Sequence, residues 1–219
     1  MANASRAPAA RRPRTRRSQA ERTAATRERI LAAVVESIAE VGFQRTTANE
    51  IARRAGVTWG AVQHHFGAKH GILEAVLAES VARLADRTAG IPSDAPLASR
   101  VELFVERAWE HFSSAHYRSM LEILLHLAPA DREGGPGWQG GVERALDAIW
   151  RRIFPDAALP QRRALALQRY TASLLSGLSS LAVLDGRGTT RAPELRLLEE
   201  TLLRELGADG AGGRSVLRV

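Results

Sequence analysis

An all-α fold of about nine helices, divided into a small N-terminal unit and a larger C-terminal one, is what the sequence predicts. Apolar residues recur at helical spacings of three and four along most of the 219 residues. No run of alternating residues rich in Val, Ile or Thr marks a strand. Between the periodic segments stand Ser and Thr residues placed to cap helices, and Gly and Pro residues placed to end them.

Ser18 and Glu21 form an S-x-x-E capping box, after which Ile30, Val34, Ile38 and Val41 share one face of a first helix that ends at Gly42. Thr47 and Glu50 form a second box that opens a helix of about two turns, with Ile51 and Ala55 inward and Gly56 as its C-terminal cap. Thr58 caps a third helix whose Val62 and Phe66 face the core, and Gly67 closes it. A fourth helix runs from near Lys69 to Thr88 with Ile72, Leu73, Val76 and Leu77 apolar, and Gly90, Pro92 and Pro96 break the chain after it. Five further helices fit Leu97–Phe112, Tyr117–Leu127, Val142–Phe154, Pro160–Leu184 and Pro193–Leu206. The glycine-rich stretch Gly134–Gly141 lacks the Lys and following Ser or Thr of a phosphate-binding loop and reads as a linker. This gives a basic, disordered arm over 1–20, a unit over 21–80, a second over 81–207 and a flexible tail over 208–219.

Composition narrows the chemistry. With no cysteine, disulfides, thiol nucleophiles and thiolate metal sites are excluded, and a soluble protein of the reducing cytoplasm is expected. The uncharged apolar stretch Thr171–Leu184 is shorter than the roughly 20 residues that span a bilayer, so no membrane partner is expected. Of the net charge of +7, six charges sit on Arg6, Arg11, Arg12, Arg14, Arg16 and Arg17, ahead of the first acidic residue, Glu21. Such an arm folds poorly alone and binds polyanions.

Two short helices joined by a tight turn, behind a basic arm and a long supporting helix, match the helix-turn-helix arrangement, whose second helix enters the major groove of double-stranded DNA. With Val62 and Phe66 inward, Trp59, Gly60, Gln63 and His64 turn outward. Glutamine can pair bidentately with adenine, histidine and tryptophan can bond or pack on base edges and phosphates, and Gly60 leaves room for close approach. Lys69, the only lysine among 31 basic residues, stands at a helix start that favours a phosphate. The histidines are not a metal set: His64, His65 and His70 are separated by one and five residues with Gly67 between, and His111 and His116 are again five apart. No nucleophile elbow, H-E-x-x-H or dinucleotide fingerprint occurs, so neither an enzyme nor a cofactor is expected.

Gly42 through Lys69, in the pattern G-F-x-x-T-T-x-x-x-I-A-x-x-A-G-V-T-x-G-x-V-x-x-H-F-x-x-K followed by Ile72 and Leu73, resembles the DNA-binding domain of the TetR family of bacterial transcriptional regulators. The resemblance implies that Thr47 caps the second helix against a phosphate and that Asn49 reaches bases or backbone. It implies that Thr58, Trp59, Gly60, Ala61, Gln63 and His64 occupy the recognition-helix contact positions, with His65 and Lys69 at the DNA backbone. Gln63 stands where the family most often has tyrosine, a departure that points to base reading by an amide.

The resemblance further implies a homodimer on a palindromic operator and a small-molecule effector in the C-terminal unit. Trp109, Phe112, His116, Tyr117, Met120, His126, Trp150 and Tyr170 supply aromatic, soft and polar groups for such a pocket, or else pack as ordinary core. Small residues at Ala172, Ser173, Ser176, Gly177 and Ser180, with an apolar stripe at Leu195, Leu198, Leu202 and Leu206, suit a dimer interface or packing within one chain. The expected function is a repressor released by its effector, with a TetR-type activator and a sequence-indifferent architectural DNA-binding protein as alternatives.

Overall fold

The computed structural model describes residues 18–67, 69–127, 137–184 and 192–207, without the side chains of residues 69, 70, 73, 126, 127, 137–139, 183 and 184. Of the arm expected to be disordered over 1–20, residues 1–17 lie outside the described residues, as do 134–136 of the expected linker, the tail over 208–219 and the Lys69 and His126 side chains; the arm's last residues are ordered instead, because Ser18 caps α1 and Gln19 and Ala20 open it. Among the described residues every regular element is helical: α1 (Gln19–Val41), a 3-10 turn (Phe43–Arg45), α2 (Ala48–Ala55), α3 (Trp59–Phe66), α4 (Lys69–Thr88), α5 (Leu97–Phe112), α6 (Ala115–Leu127), α7 (Gly137–Ile153), α8 (Gln161–Leu184) and α9 (Ala192–Gly207).

The Ser18–Glu21 capping box is fully made, with the Ser18 side chain accepting from the Glu21 N–H and the Glu21 side chain from the Ser18 N–H. The second box is only half made. Thr47 accepts from the Glu50 N–H, but the Glu50 carboxylate is taken by Arg53 at 2.7 and 2.9 Å and by Arg54 at 2.5 Å. Two guanidiniums within one turn outcompete a neutral backbone N–H for a carboxylate, and their hydrogen bonds pull the Glu50 pKa down to about 2.

A second correction concerns the expected linker, whose residues 137–141 form the first turns of α7. Glycine disfavours a helix interior by about 1 kcal/mol. Once the later turns are fixed by packing on α4, however, each residue added at the front gains a backbone hydrogen bond without a new nucleation cost.

A continuous core joins the two units. Ile30, Val34 and Ile38 of α1 meet Ile51, Val62 and Phe66 of α2 and α3, and the same core continues through Val76, Val101, Val105, Ile123 and Ile153. α4 is central, touching α3 on one side and α5, α6 and α7 on the other. Its C-terminal carbonyls are held by Arg152 of α7, which donates to Thr88 O at 3.0 Å and Ala89 O at 3.1 Å, and by Arg107 of α5, which donates to Arg87 O at 3.2 Å. Such cationic donors satisfy the carbonyls that a helix end leaves unpaired. α6 gives the second junction: the Phe43 N–H donates to Glu122 Oε1 at 2.8 Å.

The leucine stripe of α9 packs within the chain. Leu198 and Leu202 are 0% exposed and Leu206 is buried, and α9 lies against α5. Burial of each such side chain stabilises the fold by roughly 1.5–3 kcal/mol. Among the described residues the large apolar groups left outside are others: Leu125 on α6, Tyr170 and Leu181 on α8 and Leu197 on α9.

Candidate nucleic-acid interface and effector cavity

The α2–α3 turn is built by three residues in succession. Gly56 adopts φ 63°, ψ 39°, the left-handed conformation that ends α2 and that glycine adopts without steric cost. The Val57 N–H returns to Ala52 O at 3.0 Å, and Thr58 Oγ1 then accepts from the Ala61 N–H at 3.2 Å to start α3. An eight-residue helix is too short to persist alone in water. Val62, 0% exposed, and Phe66 anchor it from behind, with the Arg27 guanidinium 4.6 Å from the centre of the Phe66 ring and its Nη1 donating to His65 O at 3.3 Å. Gly71 sets the angle between α3 and α4, because a Cβ there would stand 1.9 Å from Phe66 O.

The outward surface of α3 is Gly60, Gln63 and His64, with Thr58 at its start. Ala61 and His65 are half-buried. Trp59 is also half-buried, its ring packed on the core, so it does not stand fully outward as the helical spacing suggests. The reason is its position at the first turn, where an indole can fold back over apolar neighbours. At Gly60 an added methyl would find only Thr58 Oγ1, at 3.8 Å, so the fold itself tolerates a side chain there. On α2, Thr47 and Asn49 are exposed beside this surface.

In the C-terminal unit the eight expected pocket residues are distributed rather than gathered. Phe112 and Trp150 line an interior cavity of about 40 Å³ with Leu84, Phe104, Gln168 and Leu175. That volume admits a water or two, not a metabolite. Tyr117 and Met120 are buried, with the Tyr117 hydroxyl 2.5 Å from Ser176 Oγ, while Trp109 and His116 are half-buried. Tyr170 stands on the outer face of α8, 44% exposed. A groove of about 610 Å³ lies elsewhere, between α4 and α7, lined by Leu77, Val81, Ala85, Val142, Ala145 and Ile149 among others. Its volume falls within the roughly 300–1,000 Å³ of small-molecule sites, and none of the eight residues lines it.

A buried link that no sequence motif marks joins α4 and α5. His111 is 3% exposed, and its Nε2 lies 3.2 Å from Ser80 Oγ. Burial, and then repulsion by His116, Arg87 and Arg83, lowers its pKa to about 4, so the ring is neutral at pH 7. Its signal in the sequence is a histidine inside the apolar periodicity of α5. No cluster of three or more His, Cys, Asp or Glu residues able to hold a metal occurs among the described residues.

Comparison with known proteins agrees with this geometry. Residues 30–76 match the family model described as bacterial regulatory proteins, tetR family. The HTH-type transcriptional regulator BetI of Escherichia coli K12 is 42% identical over 176 aligned residues, which take in 66% of this chain and 90% of that one. Among solved structures, NalD of Pseudomonas aeruginosa, secondary repressor of the MexAB-OprM multidrug efflux pump, is 25% identical with a TM-score of 0.53, covering 82% of this chain and 96% of its own. A TetR transcriptional regulator of Rhodococcus sp. RHA1 shares the fold at 20% identity, with a TM-score of 0.58 and coverage of 86% and 99%.

Proposed function

Because the chain belongs to the TetR family of bacterial transcriptional regulators and is therefore a DNA-binding regulator, we propose that it is a repressor: a homodimer that binds a palindromic operator and is released by a small-molecule effector. The observation that carries the reading is α3, anchored by Val62 and Phe66 while Gln63 and His64 are exposed side by side at its surface. On this reading Gln63 pairs with a base edge and His64 packs beside it, while Thr47, Asn49, Thr58 and His65 meet the DNA backbone. Lys69 adds a phosphate contact, and Trp59 contributes the edge of its ring.

Support for the dimer comes from the face of α8 on which Tyr170, Ser173, Gly177, Ser180 and Leu181 are exposed, and from Leu197 of α9, which is 57% exposed. Small residues there allow two copies to approach closely across a two-fold axis. Two recognition helices then stand one helical turn of DNA apart, about 34–36 Å.

Support for effector control comes from α4. Its C-terminal end is pinned by Arg152 and Arg107, its first turns abut α3 at Gly71, and the α4–α7 groove opens along its length. A molecule wedged in that groove would tilt α4 about Thr88 and carry α3 with it. Phe112 and Trp150 join the site if the interior cavity opens toward the groove, Ile149 being common to both. The effector moves the equilibrium only by its differential affinity for the two arrangements.

Selection of bound sequences from a random duplex pool tests the proposal. The expected product is one palindrome whose half-sites are centred about 10–10.5 base pairs, or a multiple of that, apart. Enrichment of no sequence, or of a single unpaired half-site, would refute it.

A further inference from the structure

We propose that the groove between α4 and α7 takes an amphiphilic carboxylate, an acid group on an aliphatic body, and that Arg152 both holds the acid and passes its arrival to α4. The proposal rests on the reading of this groove as the effector site, and adds to it the chemical class of the effector and the contact on which it works.

Small residues open the groove. Ala78, Ala82 and Ala85 of α4 and Gly141, Ala145 and Ala148 of α7 line it, each set spaced by four and three residues and so confined to one face of its helix. Side chains of one carbon or none leave the space beside the two helices unfilled, and its volume is about 610 Å³. The other lining residues are aliphatic except Glu74 and Arg152. On α4 the lining runs from Glu74 to Ala85, about 16 Å at 1.5 Å per residue. Arg152 bonds to Thr88, one turn beyond that end. An aliphatic trough that stops at a guanidinium suits a molecule with an apolar body and an anionic head. Glu74, at the other end, already interacts within the chain, which leaves the head group to Arg152.

The bonds that Arg152 makes are ones a carboxylate can replace. Its Nη1 donates to Thr88 O at 3.0 Å and to Ala89 O at 3.1 Å, and its Nη2 to Thr88 Oγ1 at 3.0 Å. All three acceptors are uncharged, whereas Arg100, Arg163 and Arg169 each hold a carboxylate, at 2.6, 2.7 and 2.7 Å. A bound acid offers the guanidinium a full opposite charge and two parallel bonds in place of partial charges. Its departure from α4 orphans no buried group. Thr88 O keeps the Ile91 N–H at 3.1 Å, Thr88 Oγ1 keeps its own bond to Leu84 O at 2.8 Å, and Ala89 is exposed, within reach of water. Arg107 on Arg87 O and the Arg87–Glu110 ion pair still hold the end of α4 in place. What is lost is the tie between α4 and α7, so α4 is free to turn about Thr88, and α3, which abuts it at Gly71, turns with it. A molecule that filled the groove without drawing off Arg152 would leave that tie made.

The test uses the full chain with decanoate, and with decanol and decylamine as probes of the same body and different charge at pH 7. Calorimetry is expected to find decanoate bound about tenfold more tightly than either. Bound decanoate is expected to weaken the selected operator by a factor within the roughly 5–150-fold of ordinary allosteric coupling, and the operator to weaken decanoate by the same factor. Saturating decanol is expected to leave operator affinity within about twofold. Arg152→Gln is expected to abolish the preference for decanoate over decanol and Arg152→Lys to restore part of it. Ala82→Trp, at an exposed position, is expected to fill the groove and weaken both probes alike. The comparison of probes on the natural chain needs no variant, so it decides the charge preference even where a variant fails to fold. Equal affinity for the three probes, tighter binding of decylamine, or a preference for decanoate that survives Arg152→Gln would each overturn the proposal. So would operator affinity unmoved by bound decanoate, or loss of the dimer mass in Ala82→Trp, which would seat a second copy in the groove. Probes that bind Ala82→Trp as well as the natural chain would instead strike the groove as effector site, and failure to select any operator would strike the regulator reading, the probe preference being measured without DNA.

Discussion

Acidification should loosen the junction between α4 and α5 at a pH where the carboxylate network of the molecule is still ionised. His111 is 3% exposed, paired with Ser80, and its pKa is lowered from 6.5 to about 4 by burial. The unfolded chain therefore binds a proton at higher pH than the folded one, and stability rises with pH across the interval between those values. The contribution is fully present above about pH 6.5 and is lost as pH falls toward 4. From the two pKa values the loss between pH 7.5 and 5 is at most about 2 kcal/mol, on the order of 1 M in urea midpoint. His116, whose pKa is lowered by burial and by Arg83, adds in the same direction. The carboxylates of Glu50 and Asp156, held below their usual range by Arg53, Arg54 and Arg100, lose their contributions only at lower pH. The assay is urea unfolding at both pH values for the natural chain and for His111→Phe combined with Ser80→Ala, which leaves no hydroxyl unpartnered. The double variant should keep about 2 kcal/mol more of its neutral-pH stability at pH 5. Identical pH dependence in the two proteins would refute the assignment.

Three further outcomes follow from the site and the surface. Gln63→Ala should relax the operator preference at one base position at a cost of about 1–3 kcal/mol, seen by repeating the selection; uniform weakening across sequences would assign the amide to the backbone. Thr58→Val removes the cap of α3 and should cost about 1 kcal/mol of helix stability, measured as an earlier thermal transition together with weaker operator binding. Leu181→Glu with Leu197→Glu, both on exposed positions, should halve the mass seen in sedimentation while leaving the helical signal intact; a dimer that survives would place the interface elsewhere.

What was legible in the sequence was what local physics fixes. Thr58, Gly56 and Gly67 bound α3 because a cap and a left-handed turn are written within a few residues, and Val62 and Phe66 declared the buried face by their spacing alone. What a motif does not show is competition and distance: Arg53 and Arg54, three and four residues on, take the Glu50 carboxylate from its cap, and the bond from Phe43 to Glu122 joins residues 79 apart. Spacing showed that α9 carries a leucine stripe but not which neighbour covers it, and α5 covers it within the same chain. Of the two arrangements that the stripe suits, an interface between copies or packing within one chain, the structure shows the second for Leu198, Leu202 and Leu206. The groove between α4 and α7 shows the same limit: apart from Glu74 and Arg152 it is lined by aliphatic residues and Gly141, which no motif in the sequence singles out.

The central claim, that the exposed face of α3 reads a base sequence rather than merely meeting DNA, is tested most directly by one ratio. It is the dissociation constant for a shuffled duplex divided by that for the selected operator, measured at a single physiological salt concentration. Sequence reading predicts a ratio of roughly 10³ to 10⁷. A ratio within about tenfold of one, with a steep salt dependence for both duplexes, would contradict it and leave a protein held by phosphate contacts alone.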